Sequence, residues 1–340
     1  MDWSSYVVVG ENIHCTRIVK SGGTRTVKTA DGEAITFRFE NQDLLLPVPA
    51  DWARRSPAYG DGKIQHVGLA IFHALEGKGE ASQLGQAYLR WAAARQVDNG
   101  ATFLDVNVDE YTSDTQRRAE VMAWLVTFLG KHFKTPLSID SSDSGTLAAG
   151  LGACRRDVGP AMLNSVSLER LGAVDLMTQF GCHAIVSAAS PEGVPAGVEG
   201  RMTNFEKMVS LLDSRRIPRD RMHLDPLVLP ISVDSGNGMI FLDSTRQAGQ
   251  RFEGVRPTGG LSNVSFGMPA RRLLNIVFAR LAAEAGGCGG IIDPVSMSVK
   301  DIAGLDTASE PFQLARNVLT GQDLFGGEYI AAFREGKLKE

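Results

Sequence analysis

Cysteine is scarce and scattered: Cys15, Cys154, Cys182 and Cys288 form no CxxC pair. That excludes a disulfide framework or a cysteine zinc site and fits a reduced compartment. Basic excess is missing too, since 35 Lys and Arg face 39 Asp and Glu for a formal net charge of -4. A nucleic-acid partner is therefore not expected. No apolar run reaches the roughly 20 residues of a membrane span, and MDWSSYVVVGEN lacks the basic start of a signal peptide. A cytoplasmic protein with no membrane partner is expected. The spaced HxH and HExxH patterns of common metal sites are absent from the six histidines, so no metal ligand is assigned.

What is present is a rhythm of apolar runs, each followed by a helical pattern. SYVVVGENI (5–13), ATFLDVNV (101–108), PLSIDSS (136–142), AMLNSVS (161–167), HAIVSAAS (183–190), MHLDPLVLPIS (222–232), GLSNVSF (260–266) and GGIIDPVS (289–296) read as strands. The helical patterns include 113–133, 168–180, 203–215, 238–252, 270–285 and one continuing from 299 to about 320. Near-continuous apolar strands indicate a parallel sheet covered on both faces. Eight such units suit a (β/α)8 TIM barrel, taken as a single domain over residues 1–340. An open doubly wound sheet is the alternative, but GENIHC is not the GxGxxG turn that such a sheet often carries.

One segment breaks the rhythm. Residues 16–80 form a long insertion between the first strand and its helix at about 81–98, where a βα loop ordinarily has 2–6 residues. Within it, TVKTADGEAITFRF reads as a hairpin turning at Asp31-Gly32, and IQHVGLAIFHALEG reads as an amphipathic helix. The insertion reads either as a packed elaboration or as a lid over the active face.

In a barrel enzyme the chemistry sits at the C-terminal strand ends. Here those ends read Glu11-Asn12, Asp105 with Asn107, Asp140, Asn164, Ser187, Asp225, Asn263 and Asp293. One such residue is readily a helix cap, and DSSDSG around Asp143 contains a candidate. A whole ring of carboxylates and amides points instead to a ligand. The ring lacks lysine and any evident phosphate nest, so sugar phosphates fit poorly. A carboxylate accepts two parallel hydrogen bonds from a ring N–H and an exocyclic amine, while an amide both donates and accepts. Pterins belong to that class of heterocycle. Asn263, read as buried in a strand, would need such a partner, because a buried amide left unpaired costs about 1–3 kcal/mol.

VVGENI (8–13), FLDVNV (103–108), LSIDSS (137–142), MLNSVS (162–167), LDPLVLP (224–230) and GLSNVSFGMP (260–269) together resemble the pterin-binding barrel family. Within it the pattern is most similar to methyltetrahydrofolate:corrinoid methyltransferases, including the folate domain of cobalamin-dependent methionine synthase. The resemblance implies a methyltransferase moving a methyl group between N5 of tetrahydrofolate and the cobalt of a corrinoid (cobalamin), in a direction left open. It makes Asp140, Asn164 and Asp225 the hydrogen-bonding floor for the pterin, with Asp105 and Asn107 lining the same pocket and Glu11 and Asn12 at its first-strand mouth. Asn263 matches the asparagine at N5, with Asp140 a candidate proton source. Corrinoid carriers of this system bear a DxHxxG motif that this chain lacks, so a separate corrinoid-binding protein is implied. Arg271 and Arg272 would meet the folate tail or that partner, or else open a solvated helix. A homodimer stays open. The alternatives are dihydropteroate synthase, whose seventh-strand lysine is missing from Leu261-Ser262-Asn263, and a non-catalytic folate-binding protein.

Overall fold

The structure is a computed structural model and describes residues 3–338. Eight strands form one sheet in the chain order 7-6-5-4-3-2-1-8: Arg256–Pro257, Met222–Asp225, His183–Ser187, Met162–Val166, Leu137–Asp140, Phe103–Asn107, Val7–His14 and Gly289–Ile292. Strand one pairs with eight, two with three, four with five, five with six and six with seven, all in parallel. The seventh and eighth strands meet through a parallel bridge between Gly260 and Ile291, with Ile291 N donating to Gly259 O at 2.9 Å. With helices between the strands this is the expected (β/α)8 barrel.

The chain clusters into two compact units. One holds the N-terminal segment through Gly10, Asn99–Phe103 and the chain from Pro160 onward; the other holds Glu11–Asp98 and Leu104–Gly159. In the first, Val7, Val9, Phe103, Met162, Ile185 and Ile291 form one buried apolar cluster. Side chains alternate along a strand with a period of two, so the residues two and four positions on keep the same face. Phe103 is thus followed by Asp105 and Asn107, Met162 by Asn164, Ile185 by Ser187 and Ile291 by Asp293. Apolar packing fixes the lower half of these strands, and the same pleat presents polar groups above it.

Two strands are shorter than their apolar runs suggest. The sixth stops at Asp225 because Pro226 and Pro230 supply no N–H to a ladder, and Leu227 turns to φ 70°. The seventh is only Arg256–Pro257, and Leu261–Ser265 is a 3-10 turn rather than a strand. The spacing of Leu261 and Val264, both buried, is that of one helical turn as readily as of a strand. The C-terminal helical region is likewise interrupted, forming Val299–Ala303 and Glu310–Leu319, followed by Gly327–Arg334.

The insertion folds within the second unit. Thr26–Thr29, Gly32–Phe39 and Gln42–Pro47 make a three-stranded antiparallel sheet, and Ile18–Lys20 pairs with Lys63–Gln65. Thr29 pairs with Gly32, so the hairpin loop is Ala30–Asp31 and Gly32 opens the second strand with φ 129°. Phe37 packs edge-on against Tyr88, centroids 5.0 Å apart, tying this sheet to helix Glu80–Asp98. The helix His66–Glu76 is not amphipathic; Val67, Leu69, Ala70 and Ile71 are all fully buried, leaving no solvent face over those turns.

That helix approaches Glu80–Asp98 closely because Gly85 lacks a side chain. A Cβ there would stand 2.5 Å from Ala70 O and 2.5 Å from Ala74 N. Backbone cannot yield as a side chain can. Gly85→Ala should lower stability by about 1–3 kcal/mol, as overpacking does elsewhere. A urea midpoint equal to that of the unaltered protein would contradict the tight crossing.

Candidate functional site

In the second unit the first three strands end on a polar cluster. Asn107 and Asp140 are register partners on adjacent strands, and Asn107 Nδ2 donates to Asp140 Oδ2 at 3.0 Å. Asp105, two residues before Asn107 and fully buried, lies with its Oδ2 2.5 Å from His14 Nε2. The same histidine nitrogen is 3.8 Å from Asp140 Oδ2. Burial pulls His14 down, but the hydrogen bond to Asp105 and the charges of Asp105, Asp140 and Glu11 outweigh it and leave its pKa above the ordinary value. Asp140 is pushed up to about 7, first by loss of water and then by the neighbouring Asp105 charge.

His14, Asp105 and Asp140 bring three ligand-type atoms together. Two ligands of one zinc ion, each about 2.0–2.2 Å from it, would stand roughly 3.3 Å apart in a tetrahedral site. In this structure His14 and Asp105 are joined instead by a hydrogen bond of 2.5 Å.

His14 is a residue that strand patterning misses. The first strand runs to His14 itself, one residue past the apolar run, so the side chain belongs to the sheet and not to the loop beyond. Glu11 and Asn12 are held at the same strand. Arg17 pairs with Glu11 at 2.7 Å, and the buried Gln96 accepts from the Asn12 backbone N–H at 3.0 Å. Asp109 is taken up by Ser141 and the Ser142 backbone at 2.5 and 2.8 Å. Asp143 caps the helix Ser144–Ala153 by accepting from Thr146 N at 2.7 Å, as DSSDSG suggests.

In the first unit, Asp225 ends the sixth strand as the register partner of Ser187. Its Oδ1 accepts from Leu227 N at 2.8 Å. Arg201, fully buried, donates to Leu227 O at 2.9 Å and stands behind this loop as a charge facing Asp225. Gly259-Gly260 passes beneath. A Cβ on Gly259 would lie 2.6 Å from the Phe241 ring and 3.1 Å from Asp225 Oδ1, and one on Gly260 would lie 3.0 Å from Asn263 Nδ2. The two glycines let a carboxyl and an amide close on one stretch of bare backbone.

Asn263 is exposed and sits in the 3-10 turn Leu261–Ser265, which corrects its reading as a buried strand residue. The turn is braced by Arg271, whose Nε donates to Ser265 Oγ at 3.0 Å and whose NH2 donates to Ser262 O at 3.2 Å. The Arg271 guanidinium also lies 4.4 Å from the centre of the exposed Phe266 ring. Arg272 turns away to Ser296 O at 2.8 Å. Asn164 is half-buried on the fourth strand beside Ser165, to which Arg170 donates at 2.5 Å. Ser187 caps its own loop by accepting from Ala189 N, and Asp293 does so by accepting from Val295 N.

A family model described as pterin binding enzyme matches residues 81–293. A curated relative, the methylcorrinoid:tetrahydrofolate methyltransferase of Eubacterium limosum, is 28% identical over 258 residues, covering 74% of this chain and 89% of the relative. The dihydropteroate synthase of Yersinia pestis in a sulfonamide complex superposes with a TM-score of 0.55 at 15% identity, covering 89% of this chain and 93% of that one. The dihydropteroate synthase of Coxiella burnetii with pteroic acid does so at 0.51 and 16%, covering 68% and 86%. At these identities the two structures share the fold alone.

Burial raises the Asp225 pKa to about 6, against the pull of the Leu227 N–H, the Arg201 charge and the Gly260 N–H. A carboxyl raised in the folded state binds its proton more tightly there than in the unfolded chain. The stability this contributes is complete below the unfolded value near 4 and is lost as pH rises through about 6. Asp225→Asn keeps an oxygen for Leu227 N and removes the buried charge. It should stabilise the protein by about 1–3 kcal/mol at pH 8, with the difference vanishing near pH 4. Melting curves of both proteins at the two pH values check this; a destabilised variant at pH 8 would contradict it.

Proposed function

This chain belongs to the pterin binding enzyme family, and on that premise we propose that it transfers a methyl group between a corrinoid and N5 of tetrahydrofolate. The direction proposed is from corrinoid to folate, which the name of the Eubacterium limosum relative supports. One observation carries the reading: Asp225 and Asn263 converge on the Gly259-Gly260 backbone, so a carboxyl acceptor and a freely adaptable amide share one floor. Asp225, Asp140 and Asn164 are proposed to hold the amidine edge of the pterin, with Asp105 and Asn107 shaping the second-strand side and Glu11 and Asn12 the first. The dihydropteroate synthase alternative has only the shared fold in its favour.

The corrinoid supplies a methyl group on cobalt when its carrier docks. The chain has no DxHxxG motif to hold it, and the carrier is proposed to be a separate protein. The chain's own part is to bind the pterin and manage one proton. As N5 takes the methyl carbon it becomes a cation that must release its proton to become methyltetrahydrofolate. In the reverse direction N5 must gain a proton before it can leave. An amide suits both states, accepting from N5–H⁺ through its oxygen and donating to the N5 lone pair through its nitrogen. Asn263 is proposed for that place, its turn kept in position by Arg271. The homodimer finds no support and is not proposed.

Two measurements test this. Asp140→Ala and Asp225→Ala should each weaken tetrahydrofolate binding by about 2–4 kcal/mol in calorimetry, since each leaves charge-assisted hydrogen bonds unmade. Asn263→Ala should bind folate yet transfer methyl about 10- to 1000-fold more slowly, the range for one lost transition-state hydrogen bond. Undiminished binding in both aspartate variants, or an unchanged rate in a folded Asn263 variant, would refute the corresponding assignment.

A further inference from the structure

The strand ends of the second unit carry a histidine between two aspartates, and that arrangement has a consequence for ligand binding. His14 Nε2 is 2.5 Å from Asp105 Oδ2 on one side and 3.8 Å from Asp140 Oδ2 on the other. A proton on Nε2 therefore binds Asp105 directly and faces Asp140 across a short gap. The charged neighbours are few. Glu11 also faces His14 and is itself paired with Arg17 at 2.7 Å; Asp109 also faces Asp140 and is engaged by Ser141 and Ser142. Asn107 donates to the Asp140 oxygen at 3.0 Å but carries no charge. Among the described residues, His14 is the side chain whose positive charge faces Asp140.

We propose that His14 is a positioning residue of the pterin site: as a cation between Asp105 and Asp140 it keeps Asp140 a carboxylate, and so sets the pH at which folate binds. The inference rests on the functional reading above. The amidine edge of a pterin offers two N–H donors, and an ionised carboxylate accepts both, whereas a protonated one has an O–H where an acceptor is needed. Folate affinity then follows Asp140 ionisation, falling as pH drops. Two features favour this role over simple packing. Asp140 already sits near its own neutral point, pushed up to about 7 by lost water and by Asp105, so a modest change in its surroundings alters its charge at working pH. The hydrogen bond to Asp105 and the neighbouring carboxylates hold His14 above its ordinary value, which favours the cation beside Asp140.

Removing His14 takes away the cation that faces Asp140 and its hydrogen bond to Asp105, and the loss of that positive charge raises Asp140. The pH midpoint for binding moves to the alkaline side, and affinity returns at high pH. A packing defect would weaken binding equally at every pH.

Calorimetric titration of tetrahydrofolate between pH 5.5 and 9 reads this without any corrinoid. The unaltered chain should bind with a midpoint near 7, weakening up to tenfold per pH unit below it and more steeply below about 6, where Asp225 also takes a proton. His14→Asn and His14→Gln should each move that midpoint up by about 1 pH unit, as loss of an adjacent opposite charge does, with near-normal affinity at pH 9. Asp140→Asn should bind more weakly and show no midpoint near neutrality. Melting curves at each pH establish that a variant is folded, and either His14 variant suffices. An unmoved midpoint, a uniform loss at all pH values, or a neutral midpoint persisting in Asp140→Asn would overturn the role of His14 while leaving folate binding standing. No folate binding by the unaltered chain would instead strike the functional reading itself.

Discussion

Burial of carboxyls at strand ends is the constraint on which the rest of this molecule depends. Water normally stabilises an ionised aspartate, and the barrel strips much of it from Asp105, Asp140 and Asp225. Each unit compensates incompletely. Asp225 has backbone donors in Leu227 N and Gly260 N, with Arg201 nearby but donating to carbonyls. Asp140 has one amide donor and a histidine just beyond hydrogen-bond reach. Carboxyls left in that state rise toward neutral pH and are ready for a ligand that brings N–H groups. A well-paired structural aspartate such as Asp143, held below its ordinary value by Thr146, shows the contrast. Stability is lost at such sites, and the pleated strands below them supply the rigidity that keeps them in place.

Most of the barrel is legible in the sequence because apolar runs covered on both faces have few other uses. Strands two to six and eight lie within the stretches that the apolar pattern marks, and strand one outruns its stretch by one residue. The seventh is not legible. Its ladder residues are Arg256 and Pro257, neither of which reads as a strand, while LSNV imitates one. Short apolar pairs separated by two polar residues suit a turn of helix equally well, and the glycines before them decide the matter only through contacts with Phe241 and Asp225. The identity of Asn263 as a polar group near the mouth was readable; its exposure and its support from Arg271 depend on that turn.

His14 was hidden for a related reason. Strand ends are set by hydrogen bonding rather than by composition, and one further residue of strand brings the histidine to Asp105 across ninety-one positions of sequence. Arg201 is similarly unreadable, since a fully buried arginine within a helix looks like an ordinary surface position until its carbonyl partners are known. The insertion shows the same limit. Its hairpin announces itself through alternation and a turn, whereas the burial of His66–Glu76 on several sides depends on the close passage allowed by Gly85.

The polar strand ends are proposed to serve methyl transfer to a pterin nitrogen. The most direct test uses methylcobalamin labelled with ¹³C in the methyl group, mixed with tetrahydrofolate and the purified chain and followed by NMR. The label should leave cobalt and appear on N5 of tetrahydrofolate, at a rate proportional to protein and well above that without it. A label that stays on cobalt while the chain binds tetrahydrofolate would contradict methyl transfer and leave a folate-binding barrel of another function.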